Sequence, residues 1–199
     1  MFVSLFITSL IFGRAFCSWF CPAGGIQSVA RTIQDKKTKP RMNKIKYIIW
    51  IPWVLTIIIG FITAGGIHEI NPIFMTDYGI SVSSIYNYLI YLPVVTLILI
   101  PSLFVGKHAF CHSLCWISPW MVLGCKLKEQ TKFASYRLVA NKEACISCKK
   151  CSSVCPMSIE VMDLVRQEKG MYHSECILCG ECVQACPKDV LQLKIARPQ

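Results

Sequence analysis

A cysteine pattern that occurs twice near the C-terminus constrains this chain more than any other feature of its sequence. The pattern is C-x2-C-x2-C-x3-C-P, and its copies lie at Cys145, Cys148, Cys151 and Cys155 and at Cys176, Cys179, Cys182 and Cys186. Each cysteine of the second copy lies 31 residues after its counterpart in the first. Cysteine sets at fixed short spacings indicate metal sites or a disulfide framework. The duplication therefore predicts a unit with two equivalent centres.

The spacing favours cubane iron–sulfur clusters. Three thiolates separated by two residues each can reach three iron corners of one cluster, and the fourth ligand must come from elsewhere in the chain. In proteins with two such strings, the fourth cysteine of each string ligates the other cluster. The sequence therefore predicts two [4Fe-4S] clusters: cluster 1 on Cys145, Cys148, Cys151 and Cys186, and cluster 2 on Cys176, Cys179, Cys182 and Cys155.

Long uncharged segments precede this region. Residues 47–67 and 78–106 contain no Asp, Glu, Lys or Arg, and a helix of about 20 apolar residues crosses the hydrocarbon core of a bilayer. We expect spans near 47–66 and 85–105. We expect a third near 1–16, where the apolar run Met1–Gly13 is short for a complete span, so we interpret the chain as truncated at its start. Buried helices of a soluble protein are the alternative, but these rarely stay uncharged for so long.

The basic residues predict the orientation of these spans. Seven Lys or Arg residues lie from Arg31 to Lys46 and six from Lys107 to Lys142, but none lies from Ile67 to Ser84. The positive-inside rule then places the 67–84 loop outside and the C-terminal half in the cytoplasm of a bacterial-type cell. Topology and attraction to anionic headgroups explain the net charge of +10, so nucleic acid is not an expected partner.

The predicted fold class follows from these parts. We expect an α-helical membrane domain over residues 1–135, with about three spans, and a small α+β ferredoxin-like domain over residues 141–196. The β-prone runs Ser158–Val161 and Val190–Ile195 are its expected strands. Zinc fits this half poorly, because zinc ribbons do not use three evenly spaced thiolates followed by C-P. Disulfides would need an oxidising compartment, which the predicted orientation excludes.

A second, degenerate repeat lies at the membrane edge. GRAFCSWFCP and GKHAFCHSLCW share glycine, a base, Ala-Phe and a C-x3-C pair, which is Cys17 and Cys21 in the first and Cys111 and Cys115 in the second. If the pairs converge on the cytoplasmic side, they offer four thiolates, enough for a metal or a reversible dithiol site. The alternative is a structural role as small apolar side chains.

The neighbouring residues receive simpler interpretations. His108 and His112 are four residues apart and could share a helical face as haem ligands, but we expect them to be interfacial. Cys125 has no matching partner, and we expect it to be a free thiol.

The C-x3-C pairs after apolar segments, joined to a C-terminal two-cluster pattern, resemble the membrane polyferredoxins of the NapH, NosR and CcoG type over nearly the whole chain. The resemblance implies electron flow between a quinol or cytoplasmic donor and a redox partner at the membrane, and in CcoG-like relatives copper reduction. The sequence departs from the family pattern at Trp116, where proline is expected and the nearest proline is Pro119. Its front is also shorter.

The leading functional hypothesis is an integral membrane protein that relays single electrons through two [4Fe-4S] clusters to or from a membrane redox partner. The alternatives are a metal (copper) reductase or quinol dehydrogenase that uses the C-x3-C thiols, and a redox sensor or assembly factor. No phosphate loop, dinucleotide fingerprint or catalytic triad is present in the sequence. We therefore expect no flavin or nicotinamide site, and flavin or nicotinamide would belong to partner proteins.

Overall fold

The computed structural model describes residues 2–66, 85–167 and 171–197. The N-terminal part contains seven helices in these ranges: α1 (Phe2–Phe12), α2 (Ala15–Trp19), α3 (Pro22–Ala30), α4 (Met42–Thr63), α5 (Ile85–Phe104), α6 (Ala109–Ser113) and α7 (Ser118–Gln130). The C-terminal part contains β1 (Ser135–Ala140), a 3₁₀ turn at Lys142–Ala144, α8 (Lys150–Val154), α9 (Val161–Arg166), α10 (Glu181–Gln184) and β2 (Leu191–Ala196). The predicted outward loop at 67–84 lies outside the described residues.

The apolar segments form α1, α4 and α5. Among the described residues, one helix, α4 with 22 residues, is long and apolar enough to cross a membrane, while Phe2–Phe12 and Tyr88–Phe104 are shorter apolar helices. Helix α4 begins at Met42, five residues before the predicted span, and contains Pro52. Its apolar side chains are largely exposed, for example Ile48 at 71% and Ile62 at 69%.

Helices α1 and α7 pack against each other through small residues. Ser9 of α1 is fully buried. A Cβ added to Gly124 of α7 would lie 1.8 Å from Ser9 Oγ and 3.1 Å from Ser9 Cβ. The backbones of the two helices therefore approach closely only because position 124 has no side chain.

The C-x3-C repeat is preserved in the backbone. In the first copy, the amides of Phe20 and Cys21 both donate to the carbonyl of Phe16, each over 3.0 Å. In the second copy, the amides of Leu114 and Cys115 donate to the carbonyl of Phe110 over 2.9 and 3.0 Å. Short helices α2 and α6 therefore end in the same kind of turn, which carries the second cysteine of each pair.

The next helix in each copy has a proline in its first turn. Pro22 lies at the N-terminus of α3, directly after Cys21, and Pro119 lies at the N-terminus of α7. Proline is favoured in the first helical turn because its missing N–H has no partner there. Trp116 therefore reflects a later helix start in the second copy, with Pro119 taking the role that Pro22 has in the first.

The C-terminal part has a two-stranded antiparallel sheet. Strand β1 pairs with β2 from Ser135 opposite Ala196 to Ala140 opposite Leu191. The expected strand near Val190–Ile195 is present as β2, but the sheet also recruits residues before position 141. The expected strand at Ser158–Val161 is wrong: Ser158 has a left-handed backbone with φ of 52°, and Val161 begins α9.

The duplication of the C-terminal part also extends to backbone conformation. Six residues with positive φ fall into three pairs that are 31 positions apart: Ser147 and Leu178, Lys149 and Gly180, and Ser158 and Asp189. Only one of the six is glycine, so the turns around the cysteines impose this conformation on side chains that rarely adopt it. Helices α8 and α10 occupy equivalent places in the two copies.

Candidate metal centres

Four cysteines converge on a cavity where the C-terminal part meets α7 and residues 13–14. This cavity has a volume of about 60 Å³, and its lining includes Cys155, Cys176, Cys179 and Cys182. Cys155 comes from the first string and the other three come from the second. This combination matches the set that the sequence predicts for cluster 2.

A second cavity brings together the complementary set. Its lining includes Cys145, Cys148, Cys151 and Cys186, and its volume is about 20 Å³. Here Cys186 is the contribution of the second string. Cys148 is exposed, and the exposed side chains of Lys149 and Lys188 lie at the same cavity. This set, predicted for cluster 1, therefore faces solvent in a positive field.

The donor set fits a cubane cluster. All thirteen cysteines are free, so none is committed to a disulfide. Across residues 2–66, 85–167 and 171–197, no group of three or more His, Cys, Asp or Glu residues is placed to hold a single metal ion. Zinc would draw its sulfurs to about 2.3 Å, whereas the body of a cubane keeps its four thiolates apart because each binds a different iron. Four sulfurs around a shared cavity suit the second geometry.

Burial controls the protonation of these thiols. It raises the pKa of Cys176 to about 12 and that of Cys179 to about 11. A hydrogen bond from the backbone of Leu178 opposes the rise at Cys176. The thiolate is the ligand form, so binding of iron must displace the proton from each sulfur. Backbone donors near the sulfurs stabilise the ionised ligands and tune cluster potentials.

The two strings differ at the residue that precedes their helices. Gly180 caps α10 with φ of 84°, and Lys149 caps α8 with φ of 60°. Glycine adopts this conformation readily, while lysine does so at a cost. The exposed ammonium of Lys149 places a positive charge beside the cluster 1 cavity that cluster 2 lacks at the equivalent position.

The C-x3-C pairs also converge. The Cys17 thiol lies 3.5 Å from Met121 Sδ, and Gln27 Nε2 donates to Cys111 Sγ over 3.0 Å. Burial raises the pKa of Cys17 to about 11, the nearby thiols of Cys115 and Cys21 raise it further, and Arg14 opposes the rise. Cys111 likewise interacts electrostatically with Cys17 and Cys115. The two copies of the repeat therefore bring their four sulfurs into one neighbourhood.

A polar cavity lies between this neighbourhood and the cluster 2 cysteines. Its volume is about 180 Å³, and its lining includes Cys17, Cys179, His108 and Glu181. One thiol from each sulfur group therefore borders the same space.

From the sequence we expect His108 and His112 to lie at the membrane interface, but both are buried inside the protein. Burial lowers the pKa of His108 to about 4 and that of His112 to about 3, so both are neutral at pH 7. His112 Nδ1 lies 2.5 Å from Asn43 Oδ1. Cys125 is buried and lies at the cluster 2 cavity, although it has no counterpart in the cysteine repeats.

Sequence reasoning missed three charged residues at the cluster 2 cavity and beside it: Arg14, Lys46 and Glu175. All three are buried. The sequence pattern places Lys46 in a basic loop, whereas the structure places it in α4. The position of Arg14 within an apolar lead-in to Cys17 was the available signal, because an isolated charge in such a place needs a partner.

Comparison with known proteins covers both parts of the chain. The family model described as "4Fe-4S dicluster domain" matches residues 137–187. The model described as "4Fe-4S binding domain" matches residues 1–40 and 86–118, which contain the two C-x3-C pairs. No solved structure matches.

Three curated relatives extend the comparison. The chain is 27% identical to "Putative electron transport protein YccM" of Escherichia coli over 83% of its own length and 48% of the relative. It is 26% identical to "Methylamine utilization ferredoxin-type protein MauN" of Paracoccus denitrificans over 74% of its length and 50% of the relative. An uncharacterized protein of Methanocaldococcus jannaschii is 28% identical over 84% of the chain and 68% of the relative.

The chain thus spans about half the length of two of these relatives. Together, the family models and the names of the relatives support an iron–sulfur electron-transfer protein with ferredoxin-type 4Fe-4S domains.

Proposed function

We propose that this chain is an integral membrane protein that relays single electrons through two [4Fe-4S] clusters on the cytoplasmic face, to or from a redox partner at the membrane. The observation that carries the proposal is the sorting of eight cysteines into two cavities. Each cavity takes three sulfurs from one string and one from the other. Such an exchange of fourth ligands is characteristic of two-cluster ferredoxins.

The surroundings of the two cavities suggest an order of transfer. Gly13 and Arg14 of the N-terminal part line the cluster 2 cavity, while Cys148 and Lys149 open the cluster 1 cavity to solvent. Cluster 1 is therefore the contact point for a soluble redox partner, and cluster 2 connects to the membrane part. The positive field at cluster 1 favours a partner with an acidic surface.

When bound, each cluster accepts or releases one electron at a time. The chain holds the clusters through its thiolates and shields them with apolar side chains. Ile177 and Leu178, which border the cluster 2 cavity, are 4% and 7% exposed. Their burial keeps water from the sulfurs and lowers the local dielectric constant, which strengthens the effect of nearby charges on the cluster.

The exposed apolar helices support membrane integration. Large aliphatic side chains of α4 and α5 are exposed along both helices, including Leu55, Ile59, Leu89 and Leu92. Exposed apolar patches of this extent are not tolerated in water and mark contact with lipid or another protein. We propose that α4, α5 and α1 cross or enter the bilayer. Extraction of membranes with alkaline carbonate tests this, and release of the chain into the supernatant would contradict it.

Iron content and the exchanged ligands are testable together. Anaerobically purified protein should contain about eight irons for two clusters, or about twelve if the four upstream thiols hold a third. The double variant C148S/C186S combines two ligands of cluster 1 and should lose one EPR signal. The matched variant C148S/C155S combines ligands of different clusters and should lose both. The reverse pattern would refute the assignment in which each string supplies the fourth ligand of the other cluster. Iron-free wild-type protein would refute the whole proposal.

A second candidate function rests on the convergence of Cys17, Cys21, Cys111 and Cys115. In this alternative, the chain is a membrane metal (copper) reductase or quinol dehydrogenase whose upstream thiols, as a metal or dithiol site, handle the substrate. The match of residues 1–40 and 86–118 to a "4Fe-4S binding domain" supports a metal centre over a dithiol. Cys17→Ser or Cys115→Ser should abolish electron transfer while leaving the spectra of clusters 1 and 2 intact. Unchanged activity would assign these thiols a structural role.

A further inference from the structure

Three charged side chains form a buried group beside the cluster 2 cavity. We call Arg14, Lys46 and Glu175 the ion triad. Arg14 Nη1 lies 2.5 Å from Glu175 Oε2, and Lys46 Nζ lies 2.7 and 2.6 Å from Oε1 and Oε2 of the same carboxylate. Ser118 Oγ accepts hydrogen bonds from Arg14 over 2.8 Å and from Lys46 over 3.1 Å. The three side chains are 1%, 1% and 6% exposed in the order given.

The ion triad carries one more positive than negative charge. A buried charge without a counterion is strongly unfavourable, even after relaxation of the protein around it. The Nε–H of Arg14 also has no hydrogen-bond partner among the described residues. A further negative group near Arg14 would offset both costs.

Arg14 borders two groups of sulfurs that can supply this negative charge: the upstream thiols, among which it interacts most strongly with Cys17, and the cysteines of the cluster 2 cavity. Arg14 lines the same cavity as Cys155, Cys176, Cys179 and Cys182, and Glu175 directly precedes Cys176 in the chain. A [4Fe-4S] cluster with its four thiolates is an anion, and reduction makes it more negative by one unit. Lys128, Glu129 and Arg137 line the same cavity, so Arg14 is one of several charges that face an anion whose charge changes during its function.

We propose that the ion triad shifts the reduction potential of cluster 2, with Arg14 and Lys46 favouring the reduced cluster and Glu175 limiting their effect. The proposal rests on the proposed function in one respect, which is that a cluster occupies the cavity of Cys155, Cys176, Cys179 and Cys182. None of the three residues is a ligand. They act on the cluster through charge in a region of low dielectric constant, where such effects are large.

The charges near cluster 1 differ in exposure. Lys149 and Lys188 are exposed, so water and salt screen them. The ion triad is screened far less because it is buried. It also joins three segments, since Arg14 caps α2, Lys46 lies in α4 and Glu175 lies before the second cysteine string. The potential of cluster 2 therefore depends on the contact between the membrane part and the C-terminal part.

The test is a redox titration of the full-length protein, followed by EPR, on variants that change one charge at a time. Lys46→Gln removes a positive charge and should lower the potential of cluster 2. Glu175→Gln removes the negative charge and should raise it. The double variant K46Q/E175Q has the same net charge as the wild type and should return the potential close to the wild-type value. The potential of cluster 1 should stay unchanged in all three variants.

An exposed ion pair provides the matched control. Lys37 Nζ lies 2.5 Å from Glu160 Oε1, and the two side chains are 47% and 53% exposed. Lys37→Gln removes the same charge as Lys46→Gln and should leave the potentials of both clusters unchanged. If the triad were merely a structural contact, its loss would shift the reduction potential of cluster 2 in the same direction in Lys46→Gln and in Glu175→Gln. That result, or an equal shift of both clusters, would overturn the proposal.

Two further measurements apply if a single variant does not retain its iron. The double variant K46Q/E175Q keeps the net charge of the triad, although Arg14 loses Glu175 as its partner, and a potential of cluster 2 far from the wild-type value would contradict the proposal. In the wild type, raising the salt concentration should change the potential of cluster 1 and leave that of cluster 2 constant. A salt-dependent potential of cluster 2 would also overturn it. Absence of cluster 2 from the wild type would instead refute the proposed function.

Discussion

Gly24 and Gly25 in α3 offer a paired test of the upstream thiol site. A Cβ added to Gly24 would lie 2.3 Å from the carbonyl oxygen of Cys17 and 3.9 Å from Cys21 Cβ. Ordinary contacts begin at 3.4 Å, so the backbone must move by about 1.1 Å to accept alanine. A Cβ added to Gly25 would meet nothing within 4 Å. The two positions are adjacent in the same helix and differ in the space around them.

The expected magnitudes follow from this difference. Alanine in place of glycine in a helix gains about 1 kcal/mol at either position. Overpacking against a backbone atom costs about 1–3 kcal/mol, and only Gly24→Ala pays it. The free energy of unfolding should therefore be lower in Gly24→Ala than in Gly25→Ala by about 1–3 kcal/mol. For a chain of this size, each kcal/mol changes Tm by about 2–4 °C.

Thermal unfolding in detergent, at matched protein concentration, measures the comparison. The reactivity of Cys17 toward a thiol reagent is the second readout, because displacement of its carbonyl should open the buried thiol in Gly24→Ala and not in Gly25→Ala. Equal Tm values for the two variants, or a higher Tm for Gly24→Ala, would refute the close packing of α3 against Cys17.

Three further predictions concern other parts of the molecule. Gly124→Ala should lower the free energy of unfolding by about 1–3 kcal/mol, because its Cβ would lie 1.8 Å from Ser9 Oγ; adding Ser9→Ala should recover part of the loss, and no recovery would contradict the contact. The pKa of His108, lowered to about 4 by burial and by Arg31 and Lys107, lies below its unfolded value near 6.5. The stability from neutral His108 is thus complete above about pH 6.5 and is lost as pH falls toward about 4, by up to about 1.4 kcal/mol per pH unit; in an unfolding series over this range, His108→Gln should give a flatter dependence. Cys125→Ser should leave the iron content unchanged, and loss of iron would show that Cys125 is a ligand.

The sequence predicts a grouping of the C-terminal cysteines because the grouping depends on local spacing. Three thiolates on short loops leave little freedom in which sulfurs can share a cavity. The fourth member of each set, Cys155 or Cys186, needed the additional knowledge that two-cluster proteins exchange this ligand. The cavities combine the sulfurs in that way.

The strands were harder to predict because tertiary pairing decides them. Ser158–Val161 contains β-branched residues, but the turn after Cys155-Pro156 places Ser158 in a left-handed conformation, which ends any strand there. Strand β1 lies between α7 and the first cysteine string, and its partner β2 is distant in the chain. Its run of Tyr136, Leu138 and Val139 was a usable signal, since aromatic and branched residues favour strands.

The buried charges could not be found from composition. Lys46 is one of seven basic residues in a short segment, and nothing local distinguishes it from neighbours that remain exposed. Its burial depends on Glu175, which lies 129 residues away. Partners at such separation require the folded arrangement of α4 against the C-terminal part.

The lining of the cluster 2 cavity by Gly13 and Arg14 has a consequence for biogenesis. Gly13 and Arg14 precede the cysteines of the second string by more than 160 residues, so the ribosome makes this part of the wall well before those cysteines, and the cavity closes only when the C-terminal part folds back onto it. A cluster in this cavity would therefore be enclosed only after the C-terminal part has packed against the N-terminal part. A fragment starting at β1 would retain the four cysteines of this set but lack Gly13 and Arg14, so one side of a cluster bound there would be exposed to oxygen.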